Sequence, residues 1–161
     1  MPVTPIQRLS CALRVVTDGG DARKLVDLAR SAGVPGIAAR RAAKEITVNA
    51  NNYLKLCRAA GIDPVNGSAD FGPPLADLDL NRLAIKILML LIGGKSLRKL
   101  SAQWKVEYTA INRAKKELPV NIENFLAICA GLGLHPHMFV RRVPAEFHGK
   151  QSLQQAERAR A

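Results

Sequence analysis

Residues 25–64 align with residues 97–136 without a gap, at a constant offset of 72, and 15 of the 40 aligned positions are identical. Unrelated segments do not match at this level, so the chain carries an internal duplication and its fold must be built twice from one unit. Matched pairs include Leu25 with Leu97, Leu28 with Leu100, Val34 with Val106, Arg41 with Arg113, Lys44 with Lys116, Glu45 with Glu117, Asn49 with Asn121, Cys57 with Cys129, Gly61 with Gly133 and Pro64 with Pro136.

Each copy reads as a series of short helices. The first is RLSCALRVV in one copy and NRLAIKILMLLI in the other, and each stops at a Gly-Gly pair, Gly19-Gly20 or Gly93-Gly94. The second runs from about Ala22 to Ala32, and from an N-cap at Ser96 to Trp104. A third comes after Val34 or Val106, beyond a tight turn. The fourth starts at VNANNYL and VNIENFL, where Asn49 and Asn121 can cap free backbone N–H groups and Asn52 and Asn124 occupy the third helical position. Apolar residues three or four apart, such as Leu25 with Leu28 and Leu54 with Cys57, give each helix one buried stripe. Almost no strand is expected.

These boundaries divide the chain into a first domain over 5–64, an acidic Pro/Gly linker over 65–79, a second domain over 80–143 and a tail over 144–161. The +11 net charge is split unevenly: +6 on residues 1–62, −4 on 63–79 and +9 on 80–161. Two basic bodies flanking an acidic connector favour a polyanionic partner, nucleic acid first, because each neutralised phosphate releases counterions. Cys11, Cys57 and Cys129 form no CxxC pair, so they read as packing groups in a reducing cytoplasm, with neither a metal site nor a cofactor. The start lacks the layout of an export signal, and Leu83 to Ile92 is too short to span a bilayer, so no membrane partner is expected. That same stretch is apolar nearly all round. Its outer side is expected to pack against the first repeat or a second subunit.

A turn of three or four residues between two steeply crossed helices needs a small side chain where the backbones approach, and Ala29 and Ser101 supply it. Gly33 suits the turn position with positive φ, which Lys105 takes in the second copy. The patterns LxxLAxxxGVxxxxxxR and LxxLSxxxKVxxTAINR, each continued by VNxxNΦLxxCxxxGΦxP, make residues 25–64 and 97–136 resemble the Cro and repressor-type, or Xre-like, helix-turn-helix family. The resemblance implies an all-α fold of two tandem four-to-five-helix lambda-repressor-like domains. It also implies a third helix that enters the major groove of double-stranded DNA and a second helix whose start sits on phosphates.

Carried over position by position, the second copy turns Ile111 and Ala114 inward and presents Thr109, Asn112, Arg113 and Lys116 outward, with Glu107 and Tyr108 at the helix start. Arginine pairs with guanine and asparagine with adenine, which makes Arg113 and Asn112 the natural reading residues. The first copy has Pro35, Gly36 and Ile37 in place of polar starters, yet keeps Arg40, Arg41 and Lys44 for phosphates. Arg23, Lys24, Lys95, Arg98 and Lys99 take the second-helix starts, favouring nonspecific backbone grip.

These features suit two function classes. The first is a sequence-specific transcription regulator, repressor or activator, nucleoid-associated, with a homodimer or an RNA polymerase contact as further partners. The second is a protein-interaction adaptor such as an antiactivator or antitoxin, which the poor helix start in the first copy feeds. Enzyme chemistry is not expected: His135, His137 and His148 do not recur in the repeat, and no nucleophile-base or paired-carboxylate arrangement stands beside a phosphate loop.

Overall fold

The computed structural model describes residues 2–64 and 75–142. Among them the chain is all-α apart from one small ribbon. In order come α1 (Pro5–Val16), α2 (Ala22–Ala32), α3 (Gly36–Ala43), α4 (Ala50–Ala60), β1 (Leu75–Leu78), α5 (Leu80–Ile92), α6 (Leu97–Trp104), α7 (Tyr108–Lys115), α8 (Ile122–Leu132), a 3₁₀ turn over Pro136–Phe139 and β2 (Val140–Arg142).

The helix starts arise from side chains that satisfy free N–H groups. Thr4 and Gln7 form a reciprocal capping box on α1, with Pro5 in the first turn. Asp21, Asn49, Asp79, Ser96 and Asn121 each accept from the third backbone N–H of their helix. At the end of α2, Gly33 adopts φ 69°, and at the end of α6, Lys105 takes the matched position at φ 54°. That conformation is free for glycine and strained for lysine, so in the second copy the turn is imposed by the next residue: Val106, like Val34 in the first copy, is buried in the core.

Almost no strand is present among the described residues, and what there is forms one short ribbon. β1 pairs antiparallel with β2, Leu75 opposite Arg142 and Leu78 opposite Val140, with an irregularity between. The end of the expected linker is therefore ordered structure, while residues 65–74 and the tail over 144–161 lie outside the described residues. The ribbon is anchored because its backbone donors find partners: Leu78 N–H donates to Asn51 Oδ1 at 3.2 Å and Asp79 N–H to the Phe139 carbonyl at 2.6 Å.

A single continuous hydrophobic cluster runs through both copies, from Ile6 and Leu9 on α1 to Ile128, Cys129 and Phe139. The copies meet through α4 and α8, and Leu54 of the first lines a small pocket with Ile122, Phe125 and Leu126 of the second. This arrangement leaves α5 on the far side, packed on α7 and the 3₁₀ turn. The expected cover of its outer side by the first repeat is therefore wrong: Ile85 is 47% exposed, Leu88 41%, Met89 60% and Ile92 85%. Leu83, Ala84 and Ile87 form the buried stripe.

Among the differences between the two cores, one is a coupled exchange at two matched positions. Where the first copy has Ala32 and Ala59, the second has Trp104 and Gly131. The indole lies directly over Gly131, and a Cβ there would overlap its ring. Gly131→Ala is expected to destabilise the fold by about 1–3 kcal/mol through overpacking, in spite of the better helix propensity of alanine. The urea midpoint followed by circular dichroism measures it, and Trp104→Leu in the same chain should recover most of the loss.

Candidate nucleic-acid interface

The turn before α7 is held from two directions. Val106 N–H donates to the Ser101 carbonyl at 3.2 Å, and the Ser101 hydroxyl donates back to the Val106 carbonyl at 2.6 Å. With Ala110, Ile111 and Ala114 buried, α7 is fixed on one face and open on the other. Tyr108, Thr109, Arg113 and Lys116 are exposed on that open side and Asn112 is half-buried. Lys116 is the C-cap residue. Lys95, Arg98 and Lys99 are exposed around the start of α6, whose N-cap is the neutral Ser96.

The first copy repeats the frame with different chemistry. Val34 N–H donates to the Ala29 carbonyl at 2.9 Å, and Ala38, Ala39, Ala42 and Ala43 seat α3 closely. Arg40, Arg41 and Lys44 are exposed but do not share one site. Arg40 and Lys44, one turn apart, line an open cleft of about 470 Å³ together with Arg14 and the Gly19-Gly20 turn. Arg14 belongs to this basic group although no repeat pattern marks it. Its guanidinium donates to the Ala43 carbonyl at 3.0 and 3.3 Å, and the buried Ser10 hydroxyl donates to the same oxygen at 2.9 Å, so α1 satisfies the exposed carbonyl end of α3. At the start of α2, Arg23 is exposed whereas Lys24 is ion-paired with Asp18, and the N-cap is the anionic Asp21. Carboxylates there already occupy the positive helix end, so the start of α6 is more open to an anion than the start of α2.

Arg41 faces the other copy. Its Nη2 donates to the Thr47 carbonyl at 3.3 Å, and Arg113 Nε donates to the matched Pro119 carbonyl at 3.0 Å. Each guanidinium thus ties the end of its helix to the loop six residues on, where Glu45 and Glu117 share a left-handed backbone at φ 61° and 60°. Both arginines line one open cleft of about 420 Å³ between the copies, with Ile37 and Val48 on one side and Val120 on the other. The copies are joined beneath it by an antiparallel bridge at Asn49 and Asn121: Ala50 N–H donates to the Val120 carbonyl at 2.8 Å and Ile122 N–H to the Val48 carbonyl at 3.2 Å. Sequence reading finds both asparagine caps but not this bridge, whose only trace is that the caps recur at the common offset.

His137 is half-buried and sits 3.3 Å from the Asp63 carboxylate of the first copy, with the His135 ring stacked on it at 4.8 Å. Of the thiols, Cys11 is exposed while Cys57 and Cys129 are buried at the same place in each copy. Burial pushes both buried thiols up to about 12, which keeps them protonated and unreactive. No helix of the described residues is long and apolar enough to cross a membrane.

Comparison with family models, with curated proteins and with solved structures finds no match.

Thiol titration at pH 8 is expected to find one fast-reacting group, abolished by Cys11→Ser, with the other two reacting only on unfolding. Because the buried thiols ionise near 12 when folded and near 9.0 when free, their contribution to stability is complete below pH 9 and is lost as pH rises toward 12. Denaturant midpoints measured across that range should fall less steeply in Cys57→Ala and Cys129→Ala.

Proposed function

We propose that the protein is a sequence-specific double-stranded DNA-binding transcription regulator made of two helix-turn-helix units, α2 with α3 and α6 with α7. The observation that carries this reading is the repeated open helix: α3 and α7 come after matched tight turns, bury one face, and leave an exposed face that carries Arg41 or Arg113 at the same register. A helix held in this way can lie in a major groove, where its first turns meet base edges and the start of the preceding helix meets phosphate. On α7, Tyr108, Thr109, Asn112 and Arg113 supply the polar groups, while Lys95, Arg98 and Lys99 at the start of α6 and Lys116 at the end of α7 supply the cations. The +11 charge of the chain provides the attraction that brings it to DNA before any base is read. The roles of repressor and activator differ only in where the operator lies.

A second reading, a protein-binding adaptor, is favoured by the apolar start of α3, where Ile37 is 70% exposed, and by the uncovered face of α5. Apolar side chains of this size at a would-be reading surface are better matched to a protein groove than to phosphate.

Selection from random duplexes separates the two. A regulator yields a defined motif; Arg113→Ala then costs about 1–3 kcal/mol and relaxes one position of it, whereas Lys99→Ala weakens all duplexes alike and lowers the salt slope by about one. Motif-free or absent binding rejects the regulator, and the adaptor reading takes its place.

A further inference from the structure

Resting on the DNA-binding reading, we infer that one chain reads an imperfect inverted repeat, acting as its own dimer, with the two arms of the operator in fixed opposite orientation and of unequal sequence.

The orientation comes from the bridge. Residues 48–50 pair antiparallel with residues 120–122, and the two hydrogen bonds exchange when one copy is swapped for the other: Ala50 N–H to Val120, Ile122 N–H to Val48. A direct repeat would need a translation between the copies, which gives a one-way contact. Reciprocal contacts between equivalent residues are the mark of a twofold axis. Beside the bridge the matched helices α4 and α8 pack on each other. The axis that relates the copies also relates α3 to α7, and the cleft shared by Arg41 and Arg113 opens on it, so both helices are offered to one side of the molecule. Duplex DNA has local twofold axes of its own, and a twofold protein meets them with inverted half-sites.

The inequality comes from the residues. At the helix starts Gly36 and Ile37 stand where Tyr108 and Thr109 stand, and Arg40 stands where Asn112 stands, while Arg41 and Arg113 agree. The two arms therefore share the base facing these arginines, a guanine by the usual bidentate pairing, and diverge where the helix starts approach. The spacing is rigid, because one hydrophobic cluster runs through both copies.

The test uses the full-length chain. Duplexes selected from a random pool are remade with one arm reversed or with about 5 bp, half a helical turn, added between the arms. Complex mass is measured by light scattering, and selection is repeated with Arg41→Ala and Arg113→Ala. The expected result is an inverted, unequal repeat bound by one chain, with either change of geometry weakening binding on the order of 100-fold, the loss of one linked contact. Arg41→Ala and Arg113→Ala should each relax the same position in opposite arms. A direct repeat, a single half-site, tolerance of the inserted spacer, or two chains across one pair of arms overturns this inference and leaves the DNA-binding reading standing. Binding without any motif, or none, overturns both.

Discussion

The first N–H of a helix has no partner within that helix, and in this protein two such groups solve each other's problem. Ala50 and Ile122 open α4 and α8, and each donates its N–H to a carbonyl two residues before the start of the other helix. Asn49 and Asn121 meanwhile satisfy the third N–H of their own helices, at 2.8 and 2.9 Å. A buried donor left without a partner costs about 1–3 kcal/mol, so the contact between copies is specified by backbone chemistry as well as by apolar area. Everything else in the arrangement hangs from that seam: α4 against α8 beside it, the arginine cleft above it, and the ribbon and the His137–Asp63 contact fastening its other edge.

Such a seam turns a duplicated sequence into one body. Two small units on a flexible connector would search independently for their partners and tolerate many spacings. Here β1 runs from the connector into the core side of α4, and β2 returns from the end of the second copy to pair with it. The connection is thereby fixed at its far end, and the relative position of α3 and α7 becomes a property of the fold.

Within that symmetric frame the copies have drifted in ways that packing and electrostatics explain. The Trp104 indole fits only because Gly131 has no side chain, a large-for-small exchange against Ala32 and Ala59. The anionic cap Asp21 closes the start of α2 to phosphate, whereas Ser96, flanked by Lys95, Arg98 and Lys99, leaves the start of α6 open to it. The second copy carries the richer polar surface on α7, and the first carries a cationic cleft in which Arg14 joins Arg40 and Lys44. The halves share a shape and have divided the chemistry.

Local interactions lie close together in sequence, which is why the chain alone determined its helices, their caps at Ser96, Asn49 and Asn121, the left-handed turns at Gly33 and Lys105, the buried place of Cys57 and Cys129, and the outward face of α7. Composition and spacing could also nominate the cations of the candidate surface except Arg14. They could not decide that Arg41 turns to the other copy while Arg40 and Lys44 turn toward Arg14, that Lys24 is taken by Asp18, or that the first repeat leaves the outer side of α5 uncovered. Nor could they reveal that equivalent residues pair antiparallel across a twofold axis. Apart from the Lys24–Asp18 pair, those outcomes depend on contacts between residues dozens of positions apart, and hydrophobic periodicity says which face of a helix is buried without saying against what. The tertiary structure alone decided how the two copies meet, because that choice rests on backbone groups that every residue carries and no sequence pattern distinguishes.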